Sequence, residues 1–160
     1  MPYSSDSGKR FVDRSLLRLK TELGDKFFNH KTVLDIGAGS GTYSKLYASS
    51  LLPRSEFKWH AVEIWEPYIE KFKLKDLYDH VHLTGALEFF QKNNEFFDVI
   101  FMGDVMEHMT KEQAQEIMQM AQQVSHMIIM SIPIIHYPQD EYEGNPYEKH
   151  VKDDWSTKEV

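Results

Sequence analysis

Hydrophobic and polar positions along the chain follow two rhythms, which predict a regular succession of strands and helices. Short apolar runs typical of buried parallel strands lie at 32–36, 57–63, 80–84, 96–102 and 126–132. Segments with helical spacing of apolar residues lie between them, at 41–50, 66–74, 86–92 and 110–123. Because a helix separates each pair of successive strands, the pattern predicts an α/β fold. We expect a doubly wound, mainly parallel sheet of about five strands with helices on both faces.

Two segments flank this core within what the chain length indicates is a single domain, 1–160. Residues 9–28 are predicted to form an N-terminal helix packed on the sheet, with Gly24 as a stop signal. Its apolar positions recur at spacings of four, three and four, at Val12, Leu16, Leu19 and Leu23. The core occupies 30–132, and 133–160 reads as an irregular tail over the active site. The serine-containing residues 1–8 are expected to fray.

Composition and charge exclude several classes of protein. The chain has 160 residues and a net charge of −7, which disfavours a nucleic-acid partner. It has no cysteine, so neither a disulfide framework nor a thiolate metal site is available. No apolar run approaches the ~20 residues of a membrane helix, and residues 1–10 lack the apolar segment of a signal peptide. The sequence therefore predicts a cytoplasmic protein without a membrane partner.

A glycine-rich turn follows the first strand and opens the next helix. Gly37, Gly39 and Gly41 stand at every second position, and Asp35 precedes them. Glycine lets the backbone turn sharply and approach a ligand, and a helix N-terminus carries a partial positive charge. The spacing is G-x-G-x-G, whereas a dinucleotide site has G-x-G-x-x-G. An ordinary βα turn, or a dinucleotide site with irregular glycines, remains an alternative.

With Asp35 included, this turn resembles motif I (D-x-G-x-G-x-G) of the class I S-adenosylmethionine-dependent methyltransferases. The resemblance implies a Rossmann-like fold and S-adenosylmethionine as cofactor. A carboxylate at Asp35 suits the positive charges of that compound and would repel a pyrophosphate. Expected cofactor-binding residues in this segment are Asp35, Gly37, Ala38, Gly39 and Gly41.

A second acidic residue, Glu63, ends the second strand, roughly 20 residues after the glycines. At this strand end its side chain can accept hydrogen bonds from both hydroxyls of a ribose. The matching residue of class I methyltransferases has this role, and the resemblance places Ile64 and Trp65 beside the adenine. The alternatives are a solvated glutamate at the strand end and a tryptophan that anchors the next helix in the core.

The ends of the third and fourth strands extend the resemblance. Many family members have Gly-Asp-Ala-Leu after the third strand, and the Asp binds the adenine amino group. This chain lacks the Asp, so the backbone of Gly85 and Ala86 is expected to serve instead, while Glu88 is interpreted as solvated. The segment after the fourth strand resembles D-V-x-E-H of the family. It places Gly103 and Asp104 at the methionine part of the cofactor.

Four residues are candidates for the chemistry at the acceptor: Glu107 and His108, which end that segment, His136, which follows the fifth strand, and His150 in the tail. His136 is our first choice as the base that takes the acceptor's proton. The alternative for His108 is that it caps a helix or packs in the core. The alternative for His136 is that it caps a strand end or faces solvent. The eight histidines show no clear ligand spacing, so no metal site is predicted.

The tail resembles the segment G-N-P-x-E-x-H, followed by W, that covers the active site of some small bacterial-type methyltransferases. Two further strands of the class I fold have no counterpart after it, so we expect either a truncated chain or a C-terminally shortened fold. Strand 5 is then an edge, and an exposed apolar edge invites pairing. We expect either a homodimer or the folded-back tail to cover it.

The sequence therefore predicts a transferase that moves a methyl group from S-adenosylmethionine to an unidentified small-molecule acceptor. The alternatives are a catalytically silent S-adenosylmethionine-binding module and, less favoured by the glycine spacing and Asp35, a NAD-dependent oxidoreductase.

Overall fold

A single sheet organises the computed structural model, which describes residues 9–160, without the side chains of residues 9–11 and 25. The expectation that residues 1–8 fray lies outside the described residues. The strands are β1 (Thr32–Ile36), β2 (Lys58–Glu63), β3 (His80–Leu83), β4 (Phe97–Gly103) and β5 (Ser125–Ser131). The helices are α1 (Lys9–Glu22), α2 (Thr42–Tyr47), α3 (Glu66–Lys71), α4 (Leu74–Leu77), α5 (Ala86–Lys92) and α6 (Lys111–Gln123).

The strand order is β3-β2-β1-β4-β5, and each neighbouring pair is parallel. The chain leaves β1 for β2 and β3 on one side and then crosses to β4 on the other. Its direction of winding thus reverses at the carboxyl end of β1, which is where doubly wound sheets bind ligands. The predicted α/β, doubly wound, Rossmann-like sheet is confirmed.

The core lies on both faces of the sheet because successive side chains of a buried strand point to opposite faces. On one face Phe101 stacks against Tyr43, Tyr47 and Trp59, with ring centroids 4.5–5.9 Å apart. Helices α1 to α4 cover this face. The other face packs against α5 and α6.

Three helix predictions were too long. The expected helix 9–28 ends at Glu22, because Gly24 adopts a left-handed φ of 52°, and Leu23 is left 45% exposed. The expected helix 66–74 is two helices, α3 and α4, separated at Lys73, whose φ is also 52°. Helix α2 covers six residues of the predicted 41–50.

The tail folds back onto the turn after β4. The backbone N–H groups of Val151 and Lys152 both donate to the carbonyl of Glu107, at 2.8 and 3.0 Å. Trp155 is 5% exposed and packs in the cluster beneath α6, while Lys111 pairs with Glu159 at 2.7 Å. Over the described residues β5 is hydrogen-bonded as a strand to β4 alone, so a dimer at this edge stays a prediction.

Among residues 9–160, no helix combines the length and the apolar character needed to cross a bilayer.

Candidate functional site

A cavity of about 340 Å³ opens at the carboxyl ends of β1, β2, β3 and β4, at the reversal in strand order. Eleven of the residues predicted from the sequence line it: Asp35, Gly37, Ala38, Gly39, Glu63, Ile64, Gly85, Ala86, Gly103, Asp104 and His108. They come from four strand ends that are distant in sequence. The fold therefore brings most of the predicted cofactor residues to one place.

The glycine turn has the backbone shape that its sequence predicts. Gly37, Gly39 and Gly41 all have positive φ, at 66°, 50° and 74°. The N–H groups of Gly37 and Ala38 donate to the carbonyl of Val62, at 2.9 and 3.2 Å, which ties the turn to β2. Gly41 does not line the cavity. A Cβ there would lie 2.5 Å from Leu77, so its lack of a side chain serves packing.

Glu63 links β2 to this turn. Its Oε2 accepts the N–H of Gly39 at 2.9 Å, and its Oε1 accepts the N–H of Trp65 at 2.8 Å. Burial raises the pKa of the Glu63 carboxyl, and these backbone hydrogen bonds act in the opposite direction. Each oxygen retains a lone pair, so the fixed carboxylate can accept hydrogen bonds from a ligand in the cavity.

Asp35 is 1% exposed and lies below the turn. Its pKa is raised to about 7, chiefly because burial desolvates the carboxyl. The Tyr78 hydroxyl, which donates to Oδ2 at 2.5 Å, acts to lower this pKa, and the charge of Glu63 acts to raise it. A cation entering the cavity would favour the ionised form of Asp35. Tyr78 was not predicted from the sequence, because it lies in another segment with no motif around it.

Five predicted site residues do not line the cavity: Gly41, Trp65, Glu107, His136 and His150. The ring centroid of Trp65 lies 6.2 Å from that of Tyr147, and Glu107 is buried behind the wall. The side chain of His136 is 71% exposed, with Nδ1 3.6 Å from Asp153. Glu88 also lies outside and contacts Lys92 and Thr84, as its interpretation as a solvated residue implies.

The tail supplies part of the cavity wall, through Asn145, Tyr147 and Glu148. The motif G-N-P-x-E-x-H predicts that this segment covers the active site, but it gives no role to these three side chains. Tyr43 was also missed. A Cβ on Gly103 would collide with the Tyr43 ring, so this glycine lets the aromatic side chain reach the cavity floor.

Glu107 and His108 form the short turn between β4 and α6. Glu107 is 2% exposed, and burial raises its pKa to about 8. The Nδ1–H of His108 donates to the carbonyl of Lys149 at 3.2 Å, because a carbonyl can only accept. Burial lowers the pKa of His108, which keeps its ring neutral near pH 7.

The family model for the methyltransferase domain matches residues 9–147. The chain therefore belongs to the methyltransferase-domain family, and the resemblance to class I methyltransferases is confirmed. No curated protein sequence matches it.

Solved methyltransferases share the fold at low identity. Magnesium protoporphyrin IX methyltransferase (ChlM) from Synechocystis PCC 6803, solved with bound S-adenosylmethionine, is 16% identical with a TM-score of 0.53. The match covers 87% of this chain and 63% of that one. The plantazolicin methyltransferase BamL is 13% identical with a TM-score of 0.52, covering 94% and 64%. The mitomycin 7-O-methyltransferase MmcR is 15% identical with a TM-score of 0.52, covering 90% and 51%. The chain thus spans only half to two thirds of the length of these neighbours.

Proposed function

We propose that the cavity binds S-adenosylmethionine and that the protein transfers its methyl group to a small-molecule acceptor. The observation that carries the proposal is the hydrogen bond from the Gly39 N–H to the Glu63 carboxylate, next to the buried carboxyl of Asp35. The carboxylate of Glu63 would then lie at the ribose of the cofactor. The carboxylate of Asp35, beneath the glycine turn, would lie at its positive amino group. Two carboxylates at this turn disfavour the pyrophosphate of NAD.

The cofactor site we propose consists of the predicted residues that line the cavity, with Ile64, Gly85 and Ala86 around the adenine and Gly103 and Asp104 at the methionine part. Trp65 supports this site through its backbone N–H, which holds Glu63 in place. Gly41 supports it by letting α2 begin close to α4.

The bound cofactor would supply an electrophilic methyl group on a sulfonium. The residues of the chain have to align the acceptor with that carbon and exclude water. An acceptor that starts protonated must also lose its proton. We assign His108 to this proton transfer, because it is the one of our four candidates that lines the cavity. Glu107 lies behind it, and exposed His136 would have to move to take part.

A binding module without turnover is the second candidate. It is favoured by the positions of Glu107 and His136, neither of which lines the cavity where the acceptor would have to bind. The acceptor, a cytoplasmic location and a homodimer at β5 all stay predictions.

A ligand panel tests the proposal. S-adenosylmethionine and its demethylated product should raise the melting temperature, and NAD should not. Stabilisation by NAD alone would contradict it. Transfer of a labelled methyl group to small hydroxyl or amine acceptors would then separate the enzyme from the silent module.

A further inference from the structure

Three side chains with metal-binding chemistry meet beside the cavity. Glu107 and His108 come from the turn after β4, and His150 comes from the tail. One ligand atom from each lies within 4.8 Å of the other two, and the rings of the two histidines are 4.9 Å apart between centroids. Because His150 is far from the others in sequence, no ligand spacing was visible there. The folded-back tail creates the cluster.

Both imidazoles are held with one nitrogen available. The Nδ1–H of His108 donates to the carbonyl of Lys149 at 3.2 Å, and the Nδ1–H of His150 donates to the carbonyl of Tyr137 at 2.5 Å. These bonds select the tautomer that leaves a lone pair on each Nε2. Metal-ligating histidines are usually fixed in this way, by a backbone carbonyl or carboxylate on the other nitrogen.

The carboxyl group of Glu107 is an independent indication of a ligand. The residue is 98% buried, and its Oε2 has no hydrogen-bond partner. A buried carboxylate oxygen without a partner is costly, and pairing with a charge or coordination of a metal offsets that cost. A cation between Glu107 and the two histidines would satisfy this oxygen.

We propose that Glu107, His108 and His150 bind one divalent transition-metal ion. Two imidazoles and one carboxylate suit Zn²⁺, Mn²⁺ or Fe²⁺ and are a poor set for Mg²⁺. Ligand bonds of about 2.0–2.2 Å fit the cluster after a small inward movement of the side chains. Three protein ligands leave open positions on the ion.

The ion would lie at the wall of the cavity, since His108 lines it. An oxygen of the acceptor could then bind an open position and lose its proton more readily. The part assigned to His108 at the acceptor would in that case act through the ion. This consequence rests on the proposed function, whereas metal binding itself does not.

Metal binding is tested on the full chain after chelator treatment, with no cofactor added. Calorimetry with Zn²⁺ and with Mn²⁺ should show one ion bound by the unmodified protein. Glu107→Gln and His150→Asn should weaken binding by about tenfold or more, since loss of an outer-shell partner alone costs 10–100-fold. The Asn amide can still donate to the Tyr137 carbonyl, so this variant removes the ligand nitrogen while keeping the tail contact. His136→Asn, in the same tail, is the matched control and should bind as the unmodified protein does.

A second measurement does not depend on the folding of variants. Co²⁺ added to the unmodified protein should give a visible absorption band that differs from that of the aqueous ion and disappears on addition of Zn²⁺. The proposal is overturned if the unmodified chain binds none of these ions at roughly 1 mM, or if His150→Asn and Glu107→Gln bind as tightly as His136→Asn. Because the cofactor is absent, failure here leaves S-adenosylmethionine binding to be judged by its own assay.

Discussion

At the scale of single residues, Glu63 fixes the glycine turn and, in the proposed function, also binds the cofactor. Its two oxygens accept the N–H groups of Gly39 and Trp65, and the residue lines the cavity. We expect Glu63→Ala to weaken S-adenosylmethionine binding by roughly 10–100-fold, because hydrogen bonds to charged groups contribute about 1.5–3 kcal/mol. Calorimetry measures the change. Glu88→Ala removes an exposed glutamate one strand further on and should leave affinity unchanged; equal affinities in both variants would contradict the assignment.

Asp35 should make cofactor binding depend on pH. Because its pKa is about 7, the Asp35 carboxyl of the free protein is mostly protonated below pH 7, whereas a cationic ligand favours the ionised form. Affinity for S-adenosylmethionine should therefore rise with pH up to about 7, by at most tenfold per unit. Tyr78→Phe removes the hydrogen bond that lowers this pKa, so the rise should move to higher pH. A slope that persists in Asp35→Asn would show that another group is responsible.

The same carboxyl has the opposite effect on the stability of the unliganded protein. The folded-state pKa lies above the ordinary value of 3.8, so the native state binds more protons than the unfolded state between these two values. Stability contributed by Asp35 should thus fall as pH rises from about 4 to about 7, and level off above. Urea unfolding of the unmodified protein and of Asp35→Asn at pH 5 and pH 8 would show the difference, which the Asn variant should lack.

The residues found from the sequence were those with a local pattern. The glycine turn and Glu63 are recognisable because each stands at a strand end with a known spacing. Tyr78 and Tyr43 were missed because their roles depend on contacts across the sheet: Tyr78 reaches Asp35 from the end of α4, and Tyr43 fits under Gly103. No local sequence pattern indicates such contacts between residues that are distant in the chain.

At the scale of elements, local signals explain which boundaries were predictable. Helix α6 starts where Thr110 predicts it: the hydroxyl accepts the N–H of Gln113 at 3.3 Å, and the Gln113 side chain accepts the N–H of Thr110 at 3.0 Å. The division between α3 and α4 was missed because Lys73 adopts a left-handed conformation without a glycine or proline to signal it.

The capping box can be tested by its effect on stability. Thr110→Ala should lower the free energy of unfolding by about 1 kcal/mol, since the N–H of Gln113 loses its side-chain acceptor. Urea denaturation monitored by circular dichroism provides the measurement. Thr21→Ala removes an exposed hydroxyl bonded to its own helix and should change stability by less than about 0.5 kcal/mol. A cost as small for Thr110 would indicate that packing alone determines the start of α6.

At the scale of the whole molecule, Trp155 attaches the tail to the core. Its ring is buried in the cluster under α6, although its Nε1–H makes no hydrogen bond with the described residues. Trp155→Ala should destabilise the protein by roughly 3–5 kcal/mol. Trp155→Phe should cost less, because it keeps most of the apolar ring and removes the unsatisfied N–H.

Val151→Ala is the control for this tail, because its side chain is 56% exposed and its backbone bond to Glu107 is retained. If Trp155→Ala were no more destabilising than this control, the tail would not be held by that contact. Calorimetric melting of the three variants measures the differences. The sequence predicted that the tail covers the site, but which side chains form the wall depends on how it folds back, which no periodicity encodes.

That wall has a consequence for synthesis of the protein on the ribosome. The glycine turn emerges early, while Asn145, Tyr147 and Glu148 leave the exit tunnel more than a hundred residues later. A nascent chain that has completed all five strands still has an open pocket. A nascent chain held at that stage would display a folded sheet with a pocket open on the side of the tail, and we expect it to hold S-adenosylmethionine less tightly than the protein with the complete wall.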